Sequence, residues 1–182
     1  MAYGPGDGML YLYRGDAFYN TQKYEEAVKD LNIAEKYLGK AMELLWARSV
    51  SLAALGRWQQ AINDLDVLIP VAPFPRFYAT RAKCYGALGK RKEQIADLNR
   101  VIALEPRNAK PLIARGRAFL SMGKTKDALA DANKAISLGR RYRESYKFRV
   151  ECYTKMKNKV AADADRKTIE QLSKVFDEKH DF

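Results

Sequence analysis

The side chains with the highest intrinsic reactivity are few: two cysteines, Cys84 and Cys152, and a single histidine, His180. His180 stands in the polar stretch EKHDF with no second histidine or cysteine beside it, so a nucleophile and base cannot be assembled there. With no C-x-x-C pair, two cysteines and one histidine also fall short of the four nitrogen or sulfur ligands of a structural zinc site. Cys84 and Cys152 occupy a position where other copies of an internal repeat carry Ala17, Ser51 and Ala118, which marks them as packing residues. They lie two copies apart, beyond the roughly 7 Å that a disulfide can bridge. The expectation is a non-enzymatic protein without cofactor or metal, in a reducing cytoplasm.

The groups that recur are ionic. Arginine stands at Arg14, Arg48, Arg81, Arg115 and Arg149, and aspartate at Asp30, Asp64, Asp97, Asp131 and Asp165, in steps of 34, 33, 34 and 34. Guanidinium and carboxylate groups match each other as paired donors and acceptors, and so do guanidinium and phosphate. A pair repeated at both ends and in the middle predicts a ladder of ion pairs that locks helices together rather than a row of ligand sites. Spacing alone leaves open whether each arginine meets the aspartate of its own copy or of the preceding one.

The elements that position these columns follow from the same register. Apolar residues fall at helical intervals, as in Tyr11, Phe18, Ala27, Leu31 and Ala34, and each copy reads as two helices. Gly56, Gly89 and Gly123 lie eight residues after an arginine, with Gln22 and Lys157 in the outer copies. Glycine there can take the left-handed conformation that ends a helix. Breaks between copies fall at Pro73, Pro75, Pro106 and Gly139. Helices are expected near 9–21, 24–38, 42–55, 58–69, 75–88, 91–104, 109–122, 125–138, 143–156 and 159–178, with no strand.

These residues resemble the tetratricopeptide repeat, whose copies of about 34 residues carry bulky, small, aromatic and alanine columns. The bulky column is Tyr11, Leu45, Tyr78, Leu112 and Tyr146, and the small one is Gly15, Ser49, Ala82, Gly116 and, as a departure, Val150. The aromatic column is Phe18, Leu52, Tyr85, Phe119 and Tyr153. Ala27, Ala61, Ala128 and Ala162 follow in the second helices, with Gln94 departing. The resemblance implies an all-α, right-handed α-solenoid of about five helix pairs. It forms a single domain over residues 1–182, with repeats at about 8–41, 42–74, 75–108, 109–142 and 143–176 and a tail at 177–182.

Across the 182 residues the net charge is +11, which favours acidic partners. Residues 1–75 carry 7 basic and 9 acidic groups, residues 76–126 carry 13 and 3, and residues 127–182 carry 13 and 10. The excess is therefore central. No apolar run approaches the roughly 18 residues of a membrane helix, and the start MAYGPGDGML lacks the features of a secretory signal, so a soluble chain without membrane insertion is expected. That start also leaves open that the chain is one region of a longer protein.

In the resembled family, the first helices of the pairs line a concave groove. That face here holds Leu12 and Tyr19, then Trp46 and Val50, then Arg76 and Lys83, then Lys110, Ile113 and Arg117, with Glu144 and Glu151 in the fifth copy. An aromatic residue beside basic ones suits an extended peptide with acidic and apolar side chains. A second reading is RNA or another polyanion on the basic centre. A third is self-association through an unfinished end copy, suggested by apolar residues such as Tyr11 and Tyr13 at the start of the array. The carboxylate clamp by which some family members grip chaperone tails is not expected. In the first register its positions are Leu12, Asp16, Ala47, Arg76 and Thr80, of which only Arg76 fits, and the next two registers fare no better.

Overall fold

The computed structural model describes residues 5–139 and 142–177, so His180 and the tail from 178 onward lie outside the described residues. Among the described residues there are ten helices and no strand. They are α1 (Pro5–Asn20), α2 (Tyr24–Leu38), α3 (Met42–Ala54), α4 (Trp58–Val71), α5 (Pro75–Ala87), α6 (Arg91–Leu104), α7 (Ala109–Ser121), α8 (Thr125–Leu138), α9 (Arg143–Lys155) and α10 (Lys159–Asp177). No helix among them is long and apolar enough to cross a membrane.

One column sets the turn inside every pair. Gly56, Gly89 and Gly123 have φ between 73° and 74°, and the outer copies hold Gln22 at 61° and Lys157 at 57°. The turn geometry is thus kept even where a side chain makes the left-handed region costly. The following residue closes the turn: the Arg57, Lys90 and Lys124 amides donate to the carbonyls of Leu52, Tyr85 and Phe119. Between copies, Pro75 opens α5, where a missing N–H costs nothing. The Asn108 side chain caps α7 by accepting from the Lys110 amide at 2.9 Å.

Two boundaries depart from the sequence expectation. Helix α1 begins at Pro5 rather than near residue 9. Helix α4 passes through Pro70 to Val71 instead of stopping at 69, because a proline one residue from a helix end forfeits a single backbone bond.

The chain divides into two compact units, Met1–Asp97 and Leu98–Phe182, each with its own core. In the first, Ala27, Leu31, Leu44, Leu45, Leu65 and Phe77 are buried together, and Val28, Leu52, Ala61, Ile62 and Cys84 form a second cluster. In the second unit, Leu112, Ile113, Ala128, Ala132, Ala135, Phe148 and Cys152 make the core. Gly116 lies directly beneath the Phe148 ring, which occupies the space a Cβ would need.

Candidate functional site

Each column arginine pairs with the aspartate of its own copy, 16 residues on. The Nε and Nη2 groups of Arg48 donate to the two oxygens of Asp64 at 2.8 and 2.7 Å, and Arg81 does the same to Asp97. Arg115 with Asp131, Arg149 with Asp165 and Arg14 with Asp30 repeat the two-pronged geometry. All five aspartates are buried, at 4–7% exposure.

The remaining edge of the guanidinium reaches back to the preceding second helix. Nη1 donates to Asn32 and Glu35 from Arg48, to Asp66 from Arg81, to Asn99 from Arg115 and to Asn133 from Arg149. Asn32, Asp66, Asn99 and Asn133 form a third column, two residues after Asp30, Asp64, Asp97 and Asp131, and Glu35 adds one further acceptor for Arg48. Sequence reasoning missed it, although D-L-N, D-L-D, D-L-N and D-A-N are its written signal.

In the third and fifth copies aromatic residues three before and four after the arginine flank it. Arg81 lies 5.9 Å from the Tyr78 ring and 5.7 Å from Tyr85, and Arg149 lies 5.7 Å from both Tyr146 and Tyr153. Burial opposes the charge on Arg48, but hydrogen bonds to Asp64 and Glu35 outweigh it and hold the guanidinium even more firmly protonated than usual. In the second to fifth copies the Nε, Nη1 and Nη2 groups of the fork are all engaged, which leaves little for a ligand.

Cys84 and Cys152 are fully buried free thiols, and loss of solvation pushes each pKa up to about 11. Neither is a poised nucleophile. No group of three metal-ligating side chains occurs among the described residues.

The face expected to meet a partner is partly consumed by packing. Leu12 and Ile113, expected to be available on that face, are 9% and 5% exposed and belong to the cores. Their positions lie on the seam where one first helix packs on the next, α3 on α1 and α9 on α7. Val50 and Tyr19 are half-buried, whereas Lys83 and Lys110 are exposed. Arg117 is exposed but donates to Glu151 at 2.9 Å, so its charge is matched.

Trp46 is half-buried against the first core, its ring centroid 5.2 Å from that of Phe77. The exposed Arg76 guanidinium lies 5.1 Å from the Trp46 centroid, 5.3 Å from Phe74 and 5.2 Å from Phe77. A cation resting on three rings is held in place by them. In the same unit, a cavity of about 520 Å³ is lined by Met9, Leu12, Tyr13, Asp16, Leu38, Ala41 and Glu43. The first unit therefore offers one cation held on aromatic rings and an apolar cavity edged by two carboxylates.

Paired helices in a common register of about 34 residues have the fold of a tetratricopeptide-like α-solenoid, locked in this chain by a repeated ion pair. Residues 75–108 match the tetratricopeptide repeat family. Among solved structures, MamA 41-end from Desulfovibrio magneticus RS-1 is similar with a TM-score of 0.84 at 17% identity, covering 97% of this chain and 98% of that one. A crystal structure of MamA protein gives 0.83 at 18% identity, covering 97% and 96%. At that identity the likeness is one of fold. No curated protein matches the chain in sequence.

Proposed function

We propose that the chain is a non-enzymatic interaction scaffold whose first helices take an extended segment of a partner protein bearing acidic and apolar side chains. The observation that carries this reading is the Arg76 guanidinium stacked over Trp46, Phe74 and Phe77. It would receive a carboxylate while the neighbouring rings and the cavity beside Leu12 take apolar side chains. Lys83 lies seven residues further along α5, two turns up the same face, and adds a second cation. The scaffold is ordered before binding, so little entropy is lost on its side.

The polyanion reading draws on the same cations but needs them free. Arg117 is engaged by Glu151, and the first unit adds Asp16 and Glu43 beside the cavity, so a long phosphate chain meets fewer open charges than the composition suggests.

Titration of a labelled acidic and apolar peptide and of poly-uridine at two salt concentrations separates the readings. RNA held by phosphate contacts loses affinity steeply, with a logarithmic slope of about −0.7 per contact. The peptide is expected to show a shallower slope and to lose about 2 kcal/mol on Trp46→Ala. Tight, steeply salt-dependent RNA binding that ignores Trp46→Ala would replace the peptide reading.

A further inference from the structure

Among the described residues, the first helix of each later copy is covered on one side, and α1 is not. Leu44, Phe77, Pro111 and Ser145 are all buried, yet the residue at the same place in the first copy, Leu10, is 66% exposed. Ser51, Cys84, Ala118 and Cys152 are buried too, while Ala17 is exposed. Within each unit the cover is the preceding second helix: α2 packs on α3, α4 on α5, and α8 on α9. Arg14 repeats the pattern. Its side chain is 60% exposed against 10–23% for the other four, and among the described residues it bonds Asp30 through Nε and Nη2 alone. The Nη1 edge, which elsewhere meets Asn or Asp of the preceding helix, has no such acceptor among the described residues, and Arg14 lines a cavity of about 400 Å³ with Asp7, Leu10 and Tyr11.

The last helix does not mirror this. Leu31, Leu65, Leu98 and Ala132 are buried, but their equivalent Arg166 is exposed and ion-paired to Asp163 at 2.6 Å. Lys167 stands where Asn32, Asp66, Asn99 and Asn133 accept from the next arginine. The equivalent face of α10 thus carries charge, and Lys167 would repel Arg14 of a copy stacked end to end.

We propose that the open face of α1 docks an amphipathic helix of a partner protein, one that presents a carboxamide or carboxylate oxygen to Arg14 Nη1 and apolar side chains to Leu10 and Ala17. This is the chemistry that α2 offers α3, so docking would continue the interface the chain already builds within itself. The site is separate from the Trp46 and Arg76 surface and does not depend on the reading given for it.

The probe is a fluorescent, side-chain-stapled peptide of sequence 24–38, added to the 182-residue chain. Micromolar binding is expected, weakened at least tenfold by Leu10→Glu in the chain or by Asn32→Lys in the peptide, and unchanged by Arg166→Ala. Leu10 is exposed, so Leu10→Glu should keep its helical circular dichroism and melting transition. Sedimentation of the chain alone is expected to report a monomer. Absence of peptide binding at millimolar concentration, binding indifferent to Leu10→Glu, or a dimer that Leu10→Glu dissociates would each overturn the proposal, the last by assigning the face to a second copy.

Discussion

Arg117 and Glu151 stand 34 residues apart, one full repeat, and meet at 2.9 Å between α7 and α9. The pair removes one cation from the basic set on α7 and leaves Lys110 as its open neighbour. Both side chains are about half exposed, so the bridge contributes roughly 0–1 kcal/mol to stability. Glu151→Gln should therefore leave the melting temperature nearly unchanged and tighten binding of an acidic ligand at low salt. A variant that melts much earlier, or binds no better, would show that the pair serves packing instead.

The two partners of a ladder rung are not equivalent, and Arg81 with Asp97 shows why. Asp97 has 6% of its side chain exposed, whereas Arg81 has 18% and a second acceptor in Asp66. Arg81→Ala strands a buried carboxylate and should cost about 3 kcal/mol in urea unfolding. Asp97→Ala leaves the guanidinium with Asp66 and should cost about 1–2 kcal/mol. Partner binding should survive both. Equal losses would mean that the reach to Asp66 carries no energy.

The turn column yields a gain rather than a loss. Lys157 adopts φ of 57° where the inner copies use glycine. Relief of the left-handed strain, less the greater freedom glycine gives the unfolded chain, should make Lys157→Gly more stable by ~0.5–1 kcal/mol. Gly123→Ala, at φ of 74°, should move the other way. A neutral or destabilising Lys157→Gly, read by chemical unfolding, would mean the lysine side chain is held by something stronger than the strain.

What the residues alone disclose follows from periodicity. Arg48 and Asp64 lie in columns that repeat five times, and the turn residues repeat with them, so helix order and pair boundaries could be read from spacing. The direction of each side chain could not. Leu12 and Ile113 share the register of exposed neighbours but sit on a seam between first helices, which depends on how closely those helices approach. Asn32, Asp66, Asn99 and Asn133 looked like ordinary surface residues, because their role appears only when the next arginine turns back toward them. Arg76 and Trp46 were placed on one face by helical spacing, whereas the stacking of one on the other follows from the position of Phe74 at the entry to α5.

Acidity should loosen one rung in particular. Glu35 accepts from Arg48 Nη1, and that hydrogen bond holds its carboxyl below the usual glutamate range against the opposing effect of partial burial. A carboxyl whose pKa is lower folded than unfolded binds protons less readily in the folded state. Its pairing is therefore fully stabilising above the unfolded value of about 4.3 and is lost as pH falls through the lower folded value. Glu35→Gln removes the charge and should cost about 1 kcal/mol at neutral pH, consistent with a carboxylate that is 29% exposed facing a guanidinium that is 10% exposed. The gap between wild type and variant should narrow steadily as pH is lowered below the usual glutamate range, because protonation makes the two side chains alike in charge. Thermal melts of both proteins across that range provide the check. A gap that stays constant down to the lowest pH at which both remain folded would show that Glu35 contributes through packing and not through its charge on Arg48.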